Sequence, residues 1–277
     1  MIADPLTDFS RLCVHTITTK GWDLQEAVDH YAQAGVSGIT VWRQWLEGRD
    51  PWRAGESIRA AGLKIVSLCR GGFYPAVEEK LRRDAIQENK QAIEEAAALG
   101  APLVVLVCGA VPGQSLIESR KQITDGIAAT LPLAESLGIK LAIEPLHPMY
   151  ADDRSAINSL ACANDVCDKL NHPLVGIAYD VYHLWWDPDL AAQTKRTAEA
   201  NRLFAYHVCD WMTPTNDLLN DRGLMGEGCI DLRAIRGMVE EGGFDGMIEV
   251  EVFSNRWWEK PTEEFLQAIK QSYLNHT

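Results

Sequence analysis

Residues 79–108 read EKLRRDAIQENKQAIEEAAALGAPLVVLVC. The first two-thirds are rich in Ala, Glu, Lys and Gln, residues that lose little side-chain freedom in a helix and suit a solvated helical surface. Gly100 follows, the residue type that ends a helix in the left-handed conformation at little cost. Leu103-Val104-Val105-Leu106-Val107-Cys108 is then apolar at every position, the mark of a parallel strand covered on both faces. The stretch spells helix, stop and buried parallel strand.

The same punctuation recurs at Gly35-Val36, Gly62-Leu63, Gly138-Ile139 and Gly243-Phe244. Asp23 and Glu26 form a capping-box-like start for a helix from Leu24 onward. Eight strands are expected, near 11–16, 38–42, 64–69, 103–108, 140–144, 174–180, 203–208 and 247–252. No Ser/Gly/Pro-rich linker divides them. The pattern predicts an α/β chain whose residues 1–277 form one domain, a single (β/α)8 barrel, a fold that commonly takes about 250 residues. A doubly wound open sheet is the alternative. Either architecture puts chemistry at the carboxyl ends of the strands.

Composition narrows the function classes. A net charge of −13 argues against sequence-independent nucleic-acid binding, which needs Lys and Arg against phosphates. The one basic cluster, Lys80-Leu81-Arg82-Arg83, precedes Asp84 and reads as a solvated helix face. No apolar run reaches the ~20 residues of a membrane span, so no membrane association is expected. The start, Met1-Ile2-Ala3-Asp4-Pro5, lacks the basic and apolar regions of a secretory signal. Seven cysteines without a CxxC pair suit reduced thiols in the cytoplasm. A small-molecule substrate is expected, together with a homo-oligomer, dimer or tetramer.

Four metal-ligating residue types fall at or near the ends of successive strands: Glu144, Asp180, His207 and Glu251. Each alone is more simply a cap or an ion-pair partner. Together, three carboxylates and an imidazole suit one divalent cation, Mn²⁺ first, with Mg²⁺ or Co²⁺ as alternatives. Glu249 would face the same side of its strand as Glu251 but deeper, as an ion-pair partner.

Further residues are candidates for substrate contact. His147 lies just past the fifth strand and is as readily a loop histidine bonded to backbone. Arg70 ends the third strand beside Gly71-Gly72, and His15 ends the first. His30, His172 and His276 read as surface residues. Of the strand-end tryptophans Trp42, Trp185, Trp186, Trp211, Trp257 and Trp258, the best placed to stack on the C–H face of a substrate are Trp211 and Trp185. For any one of them, packing is the simpler role. Gly226-Glu227-Gly228 does not open a helix as a phosphate loop would, and Ser254-Asn255-Arg256 is thin support for a phosphate site. An unphosphorylated substrate is expected.

The order Glu144, Asp180-x-x-His183, His207, Arg222, Glu251 resembles the xylose isomerase-like barrels, a group that includes ketose 3-epimerases, inosose dehydratases and isomerases, and endonuclease IV-type enzymes. The resemblance spans essentially the whole chain. It implies one divalent ion on Glu144, Asp180, His207 and Glu251, with His183 and Arg222 on substrate oxygens. Ketose 3-epimerases commonly follow the last ligand with Pro. Here Val252-Phe253 follow, which points towards inositol-type branches.

The chemistry implied is isomerisation or epimerisation of a ketose or keto-sugar. Proton loss beside a carbonyl creates an enediolate, with Glu144 and Glu251 as base and acid. A lyase such as a keto-inositol dehydratase begins with the same step and is the nearest alternative. A phosphodiesterase of the endonuclease IV kind would need more histidine ligands and a basic groove. A non-catalytic sugar-binding barrel is the remaining option.

Overall fold

The computed structural model describes residues 2–277; Met1, part of the stretch read for a leader, lies outside them. The barrel strands are β1 (Leu12–His15), β2 (Gly38–Trp42), β3 (Lys64–Gly72), β4 (Leu103–Val107), β5 (Lys140–Glu144), β6 (Val175–Asp180), β7 (Leu203–Val208) and β10 (Ile248–Val250). A short hairpin, β8 (Asp210–Trp211) with β9 (Arg222–Gly223), stands outside the barrel. The closed order is β1-β10-β7-β6-β5-β4-β3-β2, and neighbouring strands pair in parallel. Closure is made by Leu12↔Ile248, Cys13↔Glu249 and Val14↔Val250, which leave no unpaired sheet edge. The expected (β/α)8 architecture is present, and the open-sheet alternative is not.

Helices fill the connections: α1 (Leu24–Ala34), α2 (Pro51–Ala60), α3 (Glu79–Leu99), α4 (Leu116–Leu137), α5 (Leu160–Leu170), α7 (Leu190–Glu199) and α8 (Leu232–Glu241), with α10 (Thr262–His276) after β10. Two single-turn helices, α6 (Val181–Leu184) and α9 (Asn255–Trp258), lie at the barrel mouth. The Asp23–Glu26 capping box forms as read. The five glycines read as helix stops all take positive φ, between 69° at Gly138 and 88° at Gly243.

Alternation along the strands divides the core in two. Outward residues such as Leu141, Ile143, Ile177, Tyr179, Tyr206, Val208, Ile248 and Val250 pack in the large shell between sheet and helices. A separate interior cluster contains Cys69, Leu103, Val105, Ala142, Ala178 and Ala205. Because strand side chains repeat every two residues, Glu144, Asp180 and His207 share the inward face of Ala142, Ala178 and Ala205. The small alanines leave the space above them to longer polar groups. Among the described residues no helix is long and apolar enough to cross a membrane. All seven cysteines are free; Cys229 is exposed and Cys162 half-buried, the others buried.

Candidate metal centre

Strand register brings the acidic and imidazole groups to one level. Asp180 pairs with His207 across β6 and β7, and His207 pairs with Glu249 across β7 and β10. Glu251 lies two residues beyond Glu249. Glu144, Asp180, His207 and Glu251 are all buried, and one potential ligand atom from each lies within 4.8 Å of the others. The sequence-derived set therefore converges.

The local geometry of each is distinct. Asp180 uses Oδ1 to cap α6, accepting from Tyr182 N–H at 2.8 Å, which leaves Oδ2 facing the centre. Arg222 Nη1 donates to that Oδ2 at 3.2 Å and to Glu251 Oε2 at 2.8 Å. Glu251 Oε1 lies 3.1 Å from His15 Nδ1, so both its oxygens are engaged. Glu144 Oε1 lies 3.1 Å from His207 Nδ1. Its second oxygen has no hydrogen-bond partner among the described residues.

Charge decides whether this donor set fits a cation. At an effective dielectric of 20, two carboxylates under 5 Å apart repel by about 3–4 kcal/mol, and three such pairs rival the whole stability of a domain. Three carboxylates less the Arg222 guanidinium leave two negative charges, which one divalent ion neutralises. The Asp180 carboxyl shows the strain: burial, with Glu251 and Glu144 adding, raises it despite Arg222. Burial would raise Glu251 too, but the His15 hydrogen bond and Arg222 outweigh it and hold that carboxyl well below its usual range. For His207, burial opposes protonation, yet Glu249 and Glu144 carry it up to about 8. The residues fit a divalent cation.

His15, a candidate for substrate contact, is fully buried, with Nε2 3.2 Å from Glu249 Oε2, and Nδ1 3.1 Å from Glu251 Oε1 while accepting from Trp42 Nε1–H at 3.3 Å. Burial opposes its protonation, but the two glutamates outweigh burial and raise it to about 9. It braces carboxylates from inside the barrel. His183, by contrast, is held neutral by burial and by Arg222, which lower it well below its usual value. Its Nδ1 accepts from His147 N–H at 3.2 Å, and its Nε2 lies 3.4 Å from Arg222 Nη2.

Arg222 is fixed by rings, with its guanidinium carbon 4.3 Å from the Tyr182 centroid and 4.9 Å from that of Phe253. Beyond it stands an aromatic wall. Trp211 lies 4.8 Å from Tyr182, 4.9 Å from His147 and 5.5 Å from Trp185. His147 Nδ1 accepts from Met149 N–H, the backbone bond of the simpler reading, while its ring joins this wall. Arg70 is half-buried over the Phe73 ring at 4.5 Å and makes no ion pair among the described residues. It borders a cavity of about 740 Å³ that none of the four candidate ligands lines. Tyr182, Thr40 and Ser67 were not singled out in the sequence, and Phe253 only as a departure from the 3-epimerase pattern. For Thr40 and Ser67 the only signal was a polar residue inside an otherwise apolar strand.

The sequence profile of the Xylose isomerase-like TIM barrel family matches residues 28–272. The chain belongs to this family. Among relatives of this xylose isomerase-like barrel, an inosose isomerase of Bacillus velezensis is 27% identical over 272 residues, 95% of each chain. An inosose isomerase of Bacillus subtilis is 28% identical over 218 residues, covering 77% of this chain and 76% of the relative. A crystal structure of a Sinorhizobium meliloti protein superposes with a TM-score of 0.93 at 46% identity, covering 96% of this barrel and 98% of that chain. The IOLI protein, solved with a zinc atom, has the same fold at a TM-score of 0.83 and 24% identity, covering 95% of this chain and 96% of its own.

Proposed function

We propose that this xylose isomerase-like barrel is a divalent-metal-dependent isomerase or epimerase of a keto-sugar, with a keto-inositol as the favoured substrate class. The observation that carries the reading is the convergence of four buried donors whose net charge calls for one divalent ion. Relatives named inosose isomerase support the substrate class. Glu144, Asp180, His207 and Glu251 would hold the ion, and Mn²⁺ is the ion we favour. When bound, the ion supplies Lewis-acid polarisation of a carbonyl and its neighbouring hydroxyl.

The residues of the chain divide the remaining work. Glu144, with one oxygen free of hydrogen bonds, removes the proton beside the carbonyl. Glu251, on the other side of the mouth, is the partner that returns it. Arg222 and the neutral His183 meet the oxygen on which negative charge develops. Trp211 and Trp185 give a flat apolar face for the C–H side of the ring, and His147 borders the approach. The seven free cysteines suit a reducing, cytoplasmic setting.

Incubation of ketoses and keto-inositols with the protein in D₂O, followed by NMR, tests this directly. Deuterium should enter at the carbon beside the carbonyl with no loss of water. Glu144→Gln should lower that exchange by at least ~100-fold, the scale of a lost general base, with the fold intact by circular dichroism. Undiminished exchange would remove Glu144 from the role, and release of water would make the enzyme a dehydratase.

A further inference from the structure

Glu249 is 1% exposed, sits inside the barrel below the four donors and is not one of them. Its Oε2 accepts from Thr40 Oγ1 at 2.5 Å and from Ser67 Oγ at 3.2 Å, and lies 3.2 Å from His15 Nε2. The same oxygen is 3.8 Å from His207 Nε2. That nitrogen is buried and has no hydrogen-bond partner among the described residues. On the other side of the ring, Nδ1 lies 3.1 Å from Glu144 Oε1. Glu249 and His207 are direct register partners on adjacent strands.

We propose that Glu249 is the positioning residue of the metal centre, which rests on the metal reading above. A neutral imidazole carries one N–H, and only its bare nitrogen can bind a cation. Glu249 Oε2 is the one acceptor beside Nε2, so the N–H belongs there and Nδ1 is the nitrogen presented to the ion. At 3.8 Å the contact is longer than a hydrogen bond, and a ring tilt of under ~1 Å closes it. Thr40 and Ser67 donate to the same oxygen and keep it from swinging away. His15 Nε2 lies against the same Glu249 oxygen, while its Nδ1 accepts from Trp42 Nε1–H at 3.3 Å and lies 3.1 Å from Glu251 Oε1. One internal carboxylate thereby aims His207.

Two measurements test the assignment. In the Zn²⁺-loaded wild-type protein, nitrogen-15 NMR of histidine should show His207 protonated at Nε2 and bare at Nδ1; the opposite tautomer overturns the proposal. Calorimetric titration with Mn²⁺ should give Glu249→Gln a 10- to 100-fold weaker affinity at unchanged circular dichroism, the effect typical of removing a partner behind a metal-binding histidine. Wild-type affinity in that variant overturns the proposal. Should Glu249→Gln fail to fold, Thr40→Val, which frees the oxygen to swing, should weaken Mn²⁺ several-fold, and an unchanged affinity there counts equally against it. A wild-type chain that binds no Mn²⁺ would sink the metal reading itself, a result distinct from either.

Discussion

Arg222 shows why residue identity, rather than charge alone, sets this centre. Its Nη1 serves Asp180 and Glu251 together and its Nη2 faces His183, while its face rests between Tyr182 and Phe253. A lysine keeps the charge but loses the fork and the stacking. Arg222→Lys should therefore lose the contact with His183 and the seat between the two rings, and lower kcat/KM by at least ~100-fold in steady-state assays. Phe253, two residues past Glu251, forms one side of the Arg222 sandwich. His15 gives a pH signature to the cation-free protein. Its pKa is raised on folding, so its contribution is complete below about 6.5 and is lost as pH rises through about 9. Denaturant midpoints of chelated protein should fall between pH 7 and 10, and His15→Asn should flatten that fall; an identical slope in the variant would remove His15 as its source. The four donors were legible because each ends an apolar run. The role of His15 was not, because strand-end position does not say which neighbours claim both ring nitrogens.

Elements were legible to the extent that they repeat a period. Parallel strands buried on both faces and helices stopped by glycine announce themselves, and the barrel follows from eight such units. The β8–β9 hairpin does not, since two residues per strand are too few to show alternation. It nevertheless carries Arg222 and Trp211 to the mouth. Asp210 holds it: Oδ1 accepts from Trp211 N–H at 2.8 Å and Ile230 N–H at 3.0 Å, and Oδ2 from Gly226 N–H at 2.9 Å. Asp210→Ala strands these buried donors, each costing about 1–3 kcal/mol. The variant should lose about 2–4 kcal/mol in denaturant unfolding and raise KM through a displaced Arg222. Stability and KM both at wild-type values would show that the hairpin is held by something else.

For the whole molecule, fold and metal binding are linked. A folded-state ligand at a hundred times its Kd adds about 2.7 kcal/mol of stability. Mn²⁺ should raise the melting temperature of chelated protein, and EDTA should abolish turnover reversibly; full activity after thorough chelation would contradict the account. The chain should also sediment as a dimer or tetramer. Exposed Phe73, Val77, Leu81, Leu116 and Ile117 follow the adjacent strands β3 and β4 and supply apolar surface for such contacts. A monomer at micromolar concentration would count against that expectation. The most direct test of the central claim is an anomalous difference map from crystals soaked in Mn²⁺. The account predicts one strong peak at about 2.0–2.6 Å from donor atoms of Glu144, Asp180, His207 and Glu251. No peak there, or a peak held by other residues, would contradict it.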